Sequence, residues 1–145
     1  MVRNLEGARV TVYCAGSARV ASHYLDGASE LAKELVGAGA TLVFGGGKTG
    51  LMGHIASEVI KLGGNASGIM PRFLKNIEMD HPEVTDFTLV DTMAERKAAL
   101  LADTEGIIAL PGGCGTLEEL LEAITLKTPW AVPQTHRYSK PKRLL

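Results

Sequence analysis

Short apolar runs alternate with amphipathic stretches along most of the chain. Arg9-Val10-Thr11-Val12-Tyr13-Cys14, Ala40-Thr41-Leu42-Val43-Phe44, Ala66-Ser67-Gly68-Ile69-Met70, Phe87-Thr88-Leu89-Val90 and Ile107-Ile108-Ala109-Leu110 read as strands. Between and after them, Ser22 to Val36, Leu51 to Leu62, Met93 to Ala102 and Thr116 to Lys127 place apolar residues at helical spacing. Ser22 is the expected N-cap of the first helix, and Gly37 with Gly39 its stop.

The strands are continuous apolar runs rather than half-polar alternations, so both faces of the sheet must be covered. Alternation of strand and helix then predicts an α/β fold, a Rossmann-like doubly wound parallel sheet in three α/β/α layers. Ligands in such sheets bind beyond the carboxyl ends of the strands. Gly16-Ser17, Gly45 to Gly50, Pro71-Arg72 and Pro111 to Thr116 all fall at that edge and are expected to converge on one crevice. The segment 71–85, polar and weakly periodic, is a candidate lid or specificity loop.

Pro111-Gly112-Gly113-Cys114-Gly115-Thr116-Leu117-Glu118-Glu119 carries the most chemistry. Proline stops a strand, glycines let backbone N–H groups face an anion, and the new helix presents its positive end. Gly112, Gly113, Gly115 and Thr116, with Ser17 from the first loop, are the candidate phosphate ligands. Glu119 sits one turn inside the helix, where a carboxylate meets whatever the loop holds.

Gly45-Gly46-Gly47-Lys48-Thr49-Gly50 satisfies G-x-G-x-x-G, but it follows the second strand rather than the first. The next strand ends Ile69-Met70-Pro71, without the acid that grips an adenine ribose. A Walker A reading of Lys48-Thr49 fails because Leu42 stands where that pattern needs glycine. Arg96, early in a helix at the same sheet edge, is misplaced for the helix dipole, which favours a role in the site. Cys114 reads as a small filler between glycines, since no histidine partner for a thiolate is evident.

Composition narrows the classes. The net charge is −1, yet residues 127–145 hold five Lys/Arg and no acid, leaving ten basic and sixteen acidic residues before them. That balance argues against a nucleic-acid partner for the body of the protein. The N-terminal residues lack a signal-peptide h-region and no apolar run reaches membrane-spanning length, so a cytoplasmic protein with no membrane partner is expected. Two cysteines a hundred positions apart make no disulfide framework, and four scattered histidines make no metal site.

Gly45 to Gly53, Met93-Ala94-Glu95-Arg96-Lys97 and Pro111 to Glu119, taken together and in order, resemble the Lonely Guy family, often labelled as lysine decarboxylases. The resemblance covers about residues 8–126. It implies hydrolysis of the N-glycosidic bond of cytokinin-type, N6-modified adenosine 5′-monophosphates to free base and ribose 5-phosphate, with no cofactor and no metal. It further implies catalytic Arg96 and Glu119, further substrate contacts at Gly45, Gly46, Gly47, Met93 and Lys97, and a homodimer. The family's usual histidine after Met93 is Ala94 here. The decarboxylase label fits poorly, since that reaction needs a pyridoxal phosphate site and a larger scaffold. A nucleotide-binding carrier without hydrolysis, and a general nucleotide phosphoribohydrolase, are the alternatives.

The expected organisation is one nucleoside-monophosphate-binding domain, residues 1–126, followed by an irregular basic tail, 127–145. Thr128 to Pro141 holds three prolines and no strand pattern where the family continues with a buried strand. Read one nucleotide later, its permissible codons yield a family-like segment, so a frameshift is the expected origin of this tail.

Overall fold

A computed structural model describes residues 4–75, 77 and 80–127. The expectations about the basic tail and its frameshift therefore fall outside the described residues beyond Lys127. Five strands form one sheet: β1 (Arg9–Tyr13), β2 (Thr41–Phe44), β3 (Asn65–Pro71), β4 (Asp86–Val90) and β5 (Gly106–Ala109). Its helices are α1 (Ser22–Gly37), α2 (Gly50–Lys61), the single turn α3 (Arg72–Leu74), α4 (Met93–Leu101) and α5 (Cys114–Lys127).

All four strand pairings are parallel, in the order β4-β3-β2-β1-β5. The chain steps outward from β1 to β4, then returns to place β5 on the other side of β1. That reversal is the topological switch point, where the loops after β1 and β5 diverge and leave a crevice. Ala15 N–H donates to Pro111 O at 3.1 Å, joining those two loops at their bases.

Side-chain alternation along β1 sorts the core into two layers. Val10, Val12 and Cys14 pack with Ala28, Ala32 and Leu35 of α1 and Leu51, Ile55 and Val59 of α2. Tyr13 points the other way, into a smaller cluster with Val43, Ile69, Leu100 of α4, Ile107 and Ala123 of α5. On the Tyr13 face Thr11 is fully buried; its hydroxyl donates to Leu100 O at 2.6 Å, while the Thr104 hydroxyl shares its one proton between Arg9 O at 3.0 Å and Gly106 O at 2.8 Å. Buried hydroxyls with carbonyl partners cost little and pin the end of α4 and the start of β5 to the central strand.

Two local expectations change. Ser22 opens α1 rather than capping it: the N-cap is Ala21, with no side-chain hydrogen bond. The second half of the 71–85 segment is tied down rather than free as a lid. Asp80 forms an antiparallel bridge with Gly47, His81 N–H donates to Gly46 O at 3.0 Å, and Val84 is buried in the core.

Candidate active site

The site is assembled at the switch point by three loops and two helix starts. The β2–α2 loop docks on the β1–α1 loop: Thr49 Oγ1 donates to Gly16 O at 2.7 Å, and Met52 N–H donates to Ala15 O at 3.1 Å. Gly50 makes this approach feasible, since it has φ +66° and a Cβ there would lie 2.4 Å from Ser17 O. Gly46 has φ +86° and would meet Phe87 at 2.9 Å. These glycines serve packing, and no side-chain alternative fits their space.

Arg96 is the centre of the arrangement. It begins inside α4, whose first turn is closed by Thr92 Oγ1 accepting from Glu95 N–H at 3.1 Å and Glu95 Oε2 accepting from Asp91 N–H at 2.8 Å. The misplaced charge is not solvated. Its side chain turns beneath the sheet edge, 6% exposed, donating from Nη2 to Gly45 O at 2.6 Å and from Nε to Ile69 O at 3.2 Å. Gly45 is obligatory for this, since a Cβ would lie 2.5 Å from Nη2. Arg96 thus holds the carboxyl ends of β2 and β3 and places a permanent cation beside the crevice.

The β5–α5 loop supplies the other half. α5 begins at Cys114, two residues earlier than its sequence pattern indicates, which puts Gly115 and Thr116 within the first turn. Gly112 is packed against Thr116, whose Oγ1 a Cβ would approach to 2.1 Å. Gly113 and Gly115 meet nothing within 4 Å where a Cβ would stand. Their lack of a side chain leaves open space at a helix N-terminus, where backbone N–H groups favour an anion. Ser17, exposed on the neighbouring loop, accepts from Arg19 N–H at 3.3 Å. Met93, at the start of α4, is also exposed.

Glu119 lies on α5 next to this loop. Among the described residues its carboxylate has no hydrogen-bond or ion-pair partner. Burial holds its pKa above the ordinary carboxylate value, Arg96 pulls it down, Glu118 pushes it up, and Lys97 and Glu122 act as smaller opposed influences. Glu119 acts in turn on β1: burial and then Glu119 push the Cys14 thiol up to about 12, and the same causes, with Glu122 and Glu118, raise the Tyr13 phenol. Lys97 bridges the helices, with Nζ 2.5 Å from Glu118 Oε1 and 2.6 Å from Glu122 Oε2.

Arg96, Glu119, Lys97 and the Pro111–Thr116 loop therefore share one sheet edge, with Gly45 joined through Arg96. Gly46 and Gly47 are instead engaged by the 80–81 segment. Tyr13 and Cys14, which feel the charge of Glu119, have no site role in the sequence reading; only their place at the end of the strand flanking the switch point marks them. Among the described residues no cluster of His, Cys, Asp and Glu is built to hold a metal, and both cysteines are free. A groove of about 410 Å³ between the β1–α1 loop and α2 is lined by Lys48, Thr49, His54 and Lys61, without Arg96 or Glu119.

The fold is that of a parallel, doubly wound α/β protein, with a glycine loop at its switch point and Arg96 and Glu119 on the helices beside it. Residues 52–138 match the family model described as "Possible lysine decarboxylase". The chain belongs to this family, the Lonely Guy family of the sequence resemblance. Cytokinin riboside 5′-monophosphate phosphoribohydrolases of Arabidopsis thaliana and Oryza sativa subsp. japonica are each 43% identical over 137 residues, 94% of this chain. Those residues span 58% and 54% of the two relatives' own lengths, so this chain spans little more than half of each. Among solved structures, the molybdenum cofactor carrier protein of Chlamydomonas reinhardtii superposes with TM-score 0.73 at 23% identity, covering 86% of this chain and 74% of its own. That likeness concerns the fold.

Proposed function

We propose that this chain hydrolyses the N-glycosidic bond of nucleoside 5′-monophosphates of the cytokinin type, releasing an N6-modified adenine and ribose 5-phosphate. The observation that carries the reading is Glu119: a half-buried carboxylate without a partner among the described residues, one turn into a helix whose N-terminal loop is open for an anion, beside a buried arginine. The names of the relatives support the substrate class.

Phosphate held by the N–H groups around Gly113 and Gly115, with Thr116 and Ser17, fixes the ribose and supplies binding energy remote from the bond that breaks. Cleavage builds positive charge on C1′ and the ring oxygen. Glu119 stabilises that charge, or takes a proton from the water that adds to C1′; burial makes it a stronger base than a solvated carboxylate. The C1′–N bond breaks, its electron pair leaves with the base, and a proton completes the free base. Arg96, already anchored at Gly45 and Ile69, orients Glu119 and balances its charge. No step calls for a cofactor or metal.

Leu117, Leu121 and Ile124 on α5 are 56%, 54% and 41% exposed and follow one another at helical spacing. We place the homodimer contact there, next to the site, with light scattering as the check: a mass of one chain refutes it. Among the described residues no helix is long and apolar enough to cross a membrane, and free cysteines suit the reducing cytoplasm we assign.

Glu119→Gln is expected to lower base release from N6-isopentenyl adenosine monophosphate at least about a hundredfold while phosphate binding persists. Tight binding of the monophosphate by the wild-type chain with no base released would favour the carrier reading instead. Equal turnover of plain adenosine monophosphate would favour a general nucleotide hydrolase.

A further inference from the structure

Three carboxylates, Glu118, Glu119 and Glu122, crowd α5 just beyond its first turn. Like charges at this spacing repel, and each raises the cost of ionising its neighbours. Resting on the hydrolase reading, we propose that Lys97 is a positioning residue for Glu119. It bridges Glu118 and Glu122 across the helix pair and reserves Glu119 for the substrate.

The geometry supports this in two ways. First, one ammonium takes both flanking carboxylates, at 2.5 and 2.6 Å, in a bridge at the protein surface in which the lysine side chain, 24% exposed, is the best covered member. Such charge-assisted contacts hold direction as well as charge. Second, Lys97 follows Arg96 directly on α4. Arg96 is fixed to the sheet edge through Gly45 O and Ile69 O, so tying the next residue to α5 sets the separation between the arginine and Glu119. Glu118 and Glu122 lie one position before and three after Glu119; binding both clamps the turn from which it projects.

The groups acting on Glu119 come from two elements, Arg96 and Lys97 from α4 and Glu118 and Glu122 from its own helix, while Tyr13 and Cys14 of β1 feel its charge. Lys97 draws its pKa down, whereas Glu118 and Glu122 push it up. Losing the lysine removes one cation and exposes two uncompensated anions beside Glu119. The acid limb of turnover, which reports Glu119 becoming a carboxylate, must then move to higher pH. A lysine that binds substrate phosphate behaves differently: its loss weakens binding and leaves the limb in place.

The test compares wild type, Lys97→Met, Lys97→Arg and Lys97→Met combined with Glu118→Gln and Glu122→Gln, each first checked for folding by circular dichroism. Base release from N6-isopentenyl adenosine monophosphate is measured from about pH 5 to about pH 9. In parallel, Glu side-chain carboxyls are titrated by carbon NMR, with Glu119→Gln assigning the resonance. For Lys97→Met the expected result is a loss of about tenfold in kcat, KM within about twofold, and an acid limb at higher pH. Lys97→Arg restores the profile, and the two glutamine changes bring the limb back down. A raised KM with an unmoved limb, or a wild-type profile, overturns the proposal. If the wild-type chain releases no base, the hydrolase reading fails and the NMR titration alone decides: a Glu119 midpoint raised by Lys97→Met supports the clamp, and an unmoved midpoint refutes it.

Discussion

Gly50 and Gly115 are glycines for opposite reasons. At Gly50 a Cβ would press on the Ser17 and Ala15 carbonyls at 2.4 and 2.7 Å with φ at +66°, whereas at Gly115 it would meet nothing within 4 Å. Gly50→Ala is therefore expected to cost about 1–3 kcal/mol in chemical denaturation or to prevent folding, from the left-handed backbone alone. Gly115→Ala, in the first turn of a helix, is expected to keep or slightly raise stability yet weaken phosphate binding, as calorimetry with inorganic phosphate would show. Equal phosphate affinity in Gly115→Ala would remove the anion cradle from that position. Glu119 adds a second residue-scale expectation. Its pKa lies above the ordinary carboxylate value in the fold because of burial, so its charged form opposes folding. That penalty is absent below the ordinary carboxylate range, grows as pH rises through the window up to the folded value, and is complete above it. Glu119→Gln should accordingly raise the melting temperature at neutral pH and leave it unchanged at about pH 3; a lower melting temperature at neutral pH would contradict this.

At the scale of elements, short apolar runs located the five strands and helical spacing located α1, α2, α4 and α5; the runs are plainest in β1 and β2, which are buried inside the sheet and have no polar face to disguise them. Boundaries were less legible. α5 starts at Cys114 because Gly113 and Gly115 lower helix propensity without forbidding helix, and Leu117 N–H still reaches Gly113 O at 3.1 Å. Arg96 shows the same limit for the site. Its sequence neighbours mark it as misplaced, but its partners are carbonyls 51 and 27 residues away, which no local pattern reveals. Lys97 likewise read as a substrate contact, and its two glutamates belong to another helix. α4 delivers both residues, so its cap matters to chemistry. Thr92→Ala removes the hydroxyl that accepts from Glu95 N–H and should cost about 1 kcal/mol of stability in thermal or urea unfolding. A cost near zero would mean that Glu95 alone holds the first turn.

For the molecule as a whole, the order β4-β3-β2-β1-β5 explains why residues as distant in sequence as Ser17 and Glu119 meet at one edge. Alternation on β1 predicts two covered faces but not which loops remain open above them; that depends on where the chain reverses direction. The two cysteines offer a readout of this architecture. Cys14 is buried and its thiol is pushed up to about 12, whereas Cys114 is exposed at the start of α5. A thiol reagent at about pH 8 should modify Cys114 rapidly and Cys14 only at the rate of unfolding, with phosphate slowing the reaction at Cys114. Rapid modification of both would contradict the placement of β1 at the centre of the sheet.

Base release most directly tests the central claim, that the Pro111–Glu119 loop and Arg96 form a hydrolytic site for a nucleoside 5′-monophosphate. Chromatography of N6-isopentenyl adenosine monophosphate incubated with the wild-type chain should show free base and ribose 5-phosphate in equal amounts, with both lost in Glu119→Gln. Bound nucleotide with neither product from the wild-type chain, or undiminished products from Glu119→Gln, would contradict it.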